Sequence, residues 1–413
     1  MKIYRLIIIP IVMLVFIFAC EQDKFPLPVP KTTSTTFGAS DTSYIELNPI
    51  WDAANLGYSF SDPYDIIMGP DGIIFVADEG NDRVVAMSRA GHVLTHSNLD
   101  KIRVPHPRGI AIDSKLNVLV TNGSDTLYCW NQYLNYIAID SVAEQAVIYD
   151  AASGDTVHLT FQQIADLVAS GQPVPQIRGL IFKSDPELVQ EVRAVYPIYV
   201  DEDAGAQYNG VAAGPFGSEI IYVTESAIDK IIRLHLYPIM AVKTTDGIVL
   251  FHYRAYLEKN VATFGSGAGT VDDPMGITTD SDGNLYFTQL GGNFKVQKLS
   301  SLDYSPVYIL YKHPIMDLNR FTAPYDISLD DAGDIFVMDT GAKRVFKFDN
   351  TGSGAGNVID LGNKGLAIEE FNNGRGIMVQ ENVVYVVESG RNRIRRFQYS
   401  ISESDIPDDE KKP

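Results

Sequence analysis

FSDPYDIIMGPDGIIFVADEGNDRVVAM, residues 60–87, decides the fold. It opens on a turn-like Asp62-Pro63-Tyr64-Asp65, runs into an apolar strand at 66–68, and reverses at Gly69-Pro70-Asp71-Gly72, residue types that tight turns take. A second apolar strand, 73–77, ends on Asp78. A polar loop then delivers Asn81 and Arg83, and a third strand starts at Val84. The same succession returns at 106–128, 208–234, 273–299, 321–348 and 371–397. Such self-similarity marks a repeat architecture, in which each copy buries its faces against its neighbours.

Across the copies, Pro-x-Gly-Ile-Ala, then Asp-x-x-Gly-x-Ile-Tyr-Val-Ala-Asp, then Asn-x-Arg-Ile resembles the NHL repeat. Residues 60–85 match it at nearly every position, and the sixth copy matches through Gly376, Tyr385, Glu388, Asn392, Arg393 and Ile394. The second copy departs in its polar loop, where Asn122-Gly123-Ser124-Asp125 replaces the acid–arginine pair. The resemblance spans 43–400 and implies an all-β, six-bladed β-propeller of NHL type. Six small sheets arranged radially bury both faces and protect most edges. Residues 44–47 read as a strand that either supplies the fourth strand of the sixth blade, closing the ring, or belongs to a preceding tether.

The copies align on Pro63, Pro107, Tyr208, Pro274, Pro324 and Gly374, with long gaps on either side of Tyr208. The first gap, 135–207, reads as a small helical insertion between the second and third blades. Thr160-Phe161-Gln162-Gln163 is a capping-box pattern leading an apolar stripe of Phe161, Ile164, Ala165 and Val168. Ser184-Asp185-Pro186-Glu187 starts a second helix with proline in its first turn. Arg178-Gly179-Leu180-Ile181-Phe182 mimics a repeat start, but 201–208 leaves no room for the outer strands of a seventh blade. The helices are a candidate lid over the channel mouth. The second gap holds a strand pair at 239–242 and 248–253.

Residues 1–19 read as an export signal: Lys2 and Arg5 precede an apolar run at 6–18 that is short for a membrane span. Ile17-Phe18-Ala19-Cys20 resembles the lipobox of bacterial lipoproteins, which implies cleavage before Cys20 and its lipidation. An ordinary signal or an uncleaved anchor is the alternative. Glu21, Gln22 and Asp23 resemble the acidic segment of surface-exposed Bacteroidetes lipoproteins. Residues 20–42, rich in Pro, Ser and Thr, form a tether, and 401–413 form a disordered acidic tail. The expected location is the cell envelope, on the outer membrane through the lipid, facing the periplasm or the outside. A net charge of −19 argues against nucleic acid as a partner. Cys129, the other cysteine, reads as a small buried apolar residue.

In a propeller the first strand of each blade lines the central channel. The residues after the anchors then ring one mouth: Tyr64, Arg108, Asn209, Met275, Tyr325 and Arg375. Beside them Asp65 and Asp326 stand where the other copies have glycine. Arginine clamps carboxylate or phosphate and tyrosine stacks or donates, so this arc suits a small ligand, a glycan or a protein partner. Alternatively, Asp65 and Asp326 pair with Arg108 and Arg375 and hold the channel together.

The acids Asp78, Glu225, Asp339 and Glu388 are each followed five residues later by Arg83, Lys230, Arg344 or Arg393, which reads as a structural ion pair per blade. Asp280-Ser281-Asp282-Gly283-Asn284 reads as a turn and not as a calcium loop. None of the mouth positions is histidine, unlike the peptide-amidating lyases that share the propeller fold; His106 is one step off. No Gly-x-Ser-x-Gly elbow or phosphate-binding glycine loop occurs. The reading is a non-enzymatic binding protein with no cofactor. The alternative is a metal-dependent lyase or lactone or ester hydrolase. Its resemblance to gluconolactonase-like propellers implies a channel metal held by Asp65, Asp326 and Asn209.

Overall fold

The computed structural model describes residues 43–94, 102–135, 137–149, 154–170, 172, 176–203, 205–353, 358–359 and 370–400. Strand β1 (Ser43–Glu46) and a short helix α1 (Ala53–Leu56) lead into the first repeat, β2 (Pro63–Met68), β3 (Ile74–Asp78) and β4 (Arg83–Met87). The second is β5 (Ile110–Ile112), β6 (Asn117–Thr121) and β7 (Thr126–Asn131). Next come β8 (Ile139–Tyr149), β9 (Thr156–Thr160), α2 (Phe161–Ala169), β10 (Ile177–Lys183), α3 (Pro186–Glu191) and β11 (Val195–Val200). The third repeat is β12 (Tyr208–Ala213), β13 (Ile220–Glu225), β14 (Lys230–Thr244) and β15 (Val249–Thr263). The fourth is β16 (Pro274–Thr279), β17 (Leu285–Gln289) and β18 (Val296–Leu299). The fifth is β19 (Pro324–Leu329), β20 (Ile335–Asp339), β21 (Arg344–Phe348) and β22 (Val358–Ile359), and the sixth is β23 (Gly374–Gln380), β24 (Val383–Glu388) and β25 (Arg393–Ser400).

Each repeat is one antiparallel sheet, and the inner strands β2, β5, β12, β16, β19 and β23 touch one another in a closed ring. The middle strands are buried throughout, as in IFVAD of β3 and IFVMD of β20. Successive side chains of a strand point to opposite faces. Phe75 and Ala77 of β3 therefore pack against Val118, Val120 and Trp130 of the second sheet, while Ile74 and Val76 pack against Tyr385, Val387 and Ile394 of the sixth. Apolar clusters of the same kind lie between every other pair of neighbouring sheets. The architecture is a β-propeller.

The inner strands converge so closely that a Cβ on Gly109 would lie 2.4 Å from Asn209 O, and one on Gly210 would lie 2.5 Å from Met275 O. Threonines tie these approaches. Thr121 Oγ1 accepts from Gly109 N at 2.8 Å and donates to Asn209 O of the next sheet at 2.7 Å. Thr224 and Thr288 repeat the device toward Met275 O and Tyr325 O. Where the glycine is Asp65 or Asp326 the threonine is replaced by Ala77 or Met338. The carboxylate then makes the tie, accepting from Ile110 N at 2.9 Å or Ile377 N at 2.8 Å.

β1 pairs with β25, Tyr44 opposite Tyr399 and Glu46 opposite Phe397, so residues 44–47 do close the sixth sheet. Trp51 reinforces the seam by exchanging backbone bonds with Ile394. The insertion differs from expectation. β11 is the fourth strand of the second sheet, so the inserted chain lies within that sheet and not after it. β6 ends beside the mouth and β7 runs away from it. The insertion therefore begins on the opposite face, and its helices do not cover the mouth. Their capping box forms as read, with Gln163 N donating to Thr160 Oγ1 at 3.1 Å and Thr160 N to Gln163 Oε1 at 2.8 Å. The strand pair expected at 239–242 and 248–253 is the far half of the long hairpin β14–β15, and β8 adds to β14 there. Phe161 and Ile164 of α2 pack on Ala143, Ala146, Ile148 and Ala241. The stretch that mimics a repeat start is β10, an edge strand on β8.

The seam carries a buried guanidinium: Arg395, 1% exposed, donates through Nε to Glu46 Oε1 at 2.6 Å and through Nη2 to Oε2 at 3.1 Å. Removing one partner of such a pair costs about 3 kcal/mol. Glu46→Ala is expected to lower the urea midpoint accordingly, whereas a double change to Glu46→Leu with Arg395→Met restores most of it.

Candidate functional site

The six mouth residues do converge, and they fill the mouth with their own side chains. Tyr64 stands at the centre, 7% exposed, edge-on to Tyr325 with ring centroids 5.9 Å apart. The guanidinium carbons of Arg108 and Arg375 lie 5.4 and 4.8 Å from its ring centroid. Both arginines are held by Glu79: Arg108 Nε donates to Oε1 at 3.0 Å and Arg375 Nη1 to Oε2 at 3.0 Å. Arg108 Nη1 also donates to Asn209 Oδ1 at 2.8 Å, and Asn209 Nδ2 donates to Ser226 Oγ at 2.8 Å. Met275 is buried beside them.

Glu79 was not among the expected site residues. The only sign in the sequence is that it is the single charged residue at its repeat position, where the other copies carry Gly123, Ser226, Leu290, Thr340 and Ser389. Gly123 has its own reason: a Cβ there would come within 2.5 Å of Arg108 Nε.

Asp65 and Asp326 lie one residue deeper, below this plug. They do not pair with Arg108 and Arg375, as the structural alternative required, because Glu79 occupies both arginines. They hydrogen-bond each other instead. Burial pushes the Asp65 carboxyl up to about 7, against the lowering effect of the Ile110 and Ile66 amides and of Asp326. Burial, and then the charge of Asp65, raises Asp326 well above the usual carboxylate range. Two like charges in contact cannot both ionise cheaply, so the pair keeps a proton at neutral pH.

The strand-end acids hold loops. Asp78 accepts from Ser61 N, Glu225 from Gln207 N, Asp339 from Thr322 N and Glu388 from Asn372 N, all at 2.7–2.8 Å. The expected ion pair forms with Arg83 at 2.7 Å and Arg393 at 2.5 Å. Lys230 instead turns to Asp201 and Asp203, because Glu225 is spent on the amides of Gln207, Ala227 and Ile228. Asp339 likewise takes the amides of Thr322, Ala323 and Ala342. Asp280 is a turn residue, accepting from Asp282 N and Asn284 N. Cys129 is a buried thiol, raised to about 12 by burial. Cys20 lies outside the described residues.

Asp65, Asp326 and Asn209 do not form a metal-binding set. The Asn209 oxygen takes the Arg108 guanidinium at mouth level, and the carboxylates, a layer below, take backbone amides and each other.

No family model matches the sequence, and no curated protein does. Among solved structures the chain is similar to a catalytically inactive virginiamycin B lyase from Staphylococcus aureus crystallised with quinupristin (13% identity, 87% of this chain and 100% of that one, TM-score 0.43). It is similar to a gluconolactonase from Xanthomonas campestris (12%, 88% and 99%, TM-score 0.44). A protein of unknown function from Bacteroides thetaiotaomicron is a third (15%, 86% and 73%, TM-score 0.46). The lyase and the gluconolactonase are β-propeller proteins.

The raised carboxyls set a pH dependence. The folded pair binds protons that an unfolded aspartate, titrating near about 3.9, releases. Stability is therefore fully present below that value and falls as pH rises through about 7. Asp326→Asn, which keeps a hydrogen bond to Asp65 without the second charge, is expected to flatten the fall in melting temperature between pH 5 and pH 8. An unchanged slope would mean the pair does not hold the proton.

Proposed function

We propose that this chain is a six-bladed, NHL-type propeller, anchored in the cell envelope through a lipid on Cys20. It binds, without turnover, a small ligand, glycan or protein segment that presents a carboxylate or similar anion at the mouth. The observation that carries this reading is the set of unspent donors there. Among the described residues, Nη2 of Arg108 and of Arg375 reach no protein acceptor, and Arg375 Nε is buried without one. Two guanidiniums against one Glu79 leave the mouth locally positive on a chain of net charge −19, which favours an anion at this spot over the rest of the surface. Tyr325, partly exposed beside the buried Tyr64, offers ring surface there, as sugar or aromatic groups require.

A thermal-shift series of sugar acids against their uncharged parent sugars tests the reading. The acids are expected to stabilise the protein, by about 2.7 kcal/mol at a hundredfold excess over Kd. The joint Arg108→Ala and Arg375→Ala variant should fold and lose that shift, and Glu79→Gln should strengthen it several-fold by releasing donors. Undiminished binding by the double variant would remove the mouth from consideration. Cys20→Ser should move the protein from the membrane to the soluble fraction.

The second reading is a lyase or a lactone or ester hydrolase working through the channel. What favours it is the Asp65–Asp326 pair, a carboxylic acid that retains its proton near neutral pH as a general acid does. It requires turnover of a lactone or ester by the purified protein that disappears in Asp326→Asn. Absence of turnover, with and without added divalent metal, leaves binding alone.

A further inference from the structure

Below the acid pair, on the side away from the mouth plug, the axis holds a cavity of about 260 Å³. All six inner strands line it, at the level of Ile66, Ile110, Val211, Ile277, Ile327 and Ile377, whose side chains turn into the clusters between sheets and leave much of the wall to strand backbone. It continues along the strands toward Gly214, Thr279 and Ser328, the end facing away from the mouth. Among the described residues, Asp65 and Asp326 are the only ionisable side chains in this lining, and both are partly exposed.

We propose that this cavity is a binding site for a small amphiphilic cation, an alkylammonium whose head hydrogen-bonds Asp65 and Asp326 and whose stem lies along the mixed wall of strand backbone and aliphatic side chains. The charged groups around the pair leave it without a counter-ion. On the mouth side, Arg108 of the second sheet and Arg375 of the sixth each pair with Glu79 and neither bonds the acid pair, and Tyr64 and Tyr325 lie between. The adjoining inner strands present Asn209 and Met275 there, which are uncharged. On the cavity side, the described residues of the lining bring no ionisable group besides the pair itself. The pair therefore compensates its burial with a proton. An ammonium entering from the cavity supplies three N–H donors and a permanent charge, replaces that proton, which passes to solvent, and makes charge-assisted bonds.

Volume limits the stem. An apolar cavity of about 150 Å³ accepts benzene, and drug-sized ligands take roughly 300 Å³ upward, so butyl to hexyl chains fit this space. A mouth that selects anions and a channel that selects a cation would be two separate sites, divided by the acid pair and the plug above it.

Isothermal titration with n-butylammonium and n-hexylammonium, with 1-hexanol as the uncharged control, tests this at pH 6 and pH 8. Hexylammonium should bind tighter than butylammonium, by about fourfold per methylene. It should bind several-fold tighter at pH 8 than at pH 6 with proton release, and hexanol should bind at least tenfold more weakly. Asp326→Asn, folded by circular dichroism, should lose at least tenfold in hexylammonium affinity. Should that variant not fold, Thr278→Leu, which fills the cavity wall and leaves the acids in place, should lose binding equally. No ammonium binding, equal binding of hexanol, or full affinity in whichever variant folds would overturn the proposal.

Discussion

Everything in this molecule answers to the crowding of inner strands on one axis. Six backbones meet there with no room for a Cβ at four of six positions, and the spare amides and carbonyls must find partners across sheet boundaries. Four copies use glycine; in three of these a threonine hydroxyl accepts from the inner strand of its own sheet and donates to the next sheet. The other two use aspartate, whose carboxylate reaches the neighbouring amide itself. A choice about closing the ring thus brings two carboxyls into contact. The charged, proton-holding centre of the channel is a by-product of how these sheets are tied.

That centre divides the axis into two unlike halves. Above it, side chains from every sheet interlock around Tyr64, with Glu79 bridging two arginines. The mouth is therefore a shallow surface of guanidinium and aromatic edges, with little depth for a ligand to enter. Below it the walls mix strand backbone with aliphatic side chains and the space is open. The extra chain in the second sheet and the long hairpin of the third extend from the lower side, where strand direction alone places them.

The repeat grammar was legible because each of its parts has a local cause. Turn residues, continuous apolar middle strands and the glycine two residues after four of the six anchors announce sheets buried on both faces. Both the ring and the six residues at its mouth follow from counting copies. Residues 44–47 were readable as a strand, but that they close the ring and do not belong to a tether was decided only by their pairing with β25.

What the sequence by itself determined, then, is the number of copies, the order of the three strands within each copy and the level on the axis that the mouth residues occupy, because these are set by short-range pattern. Only the tertiary structure decided the partners. Five-residue spacing predicts an ion pair in four copies, but Glu225 and Asp339 satisfy backbone amides of their own loops, and Lys230 finds the carboxylates of another. Asp65 and Asp326 had opposite charges within sequence reach and took each other, because Glu79 had already claimed both arginines from a neighbouring loop. Which charge meets which depends on distances across the ring between residues far apart in the chain, and only closing the ring sets those distances.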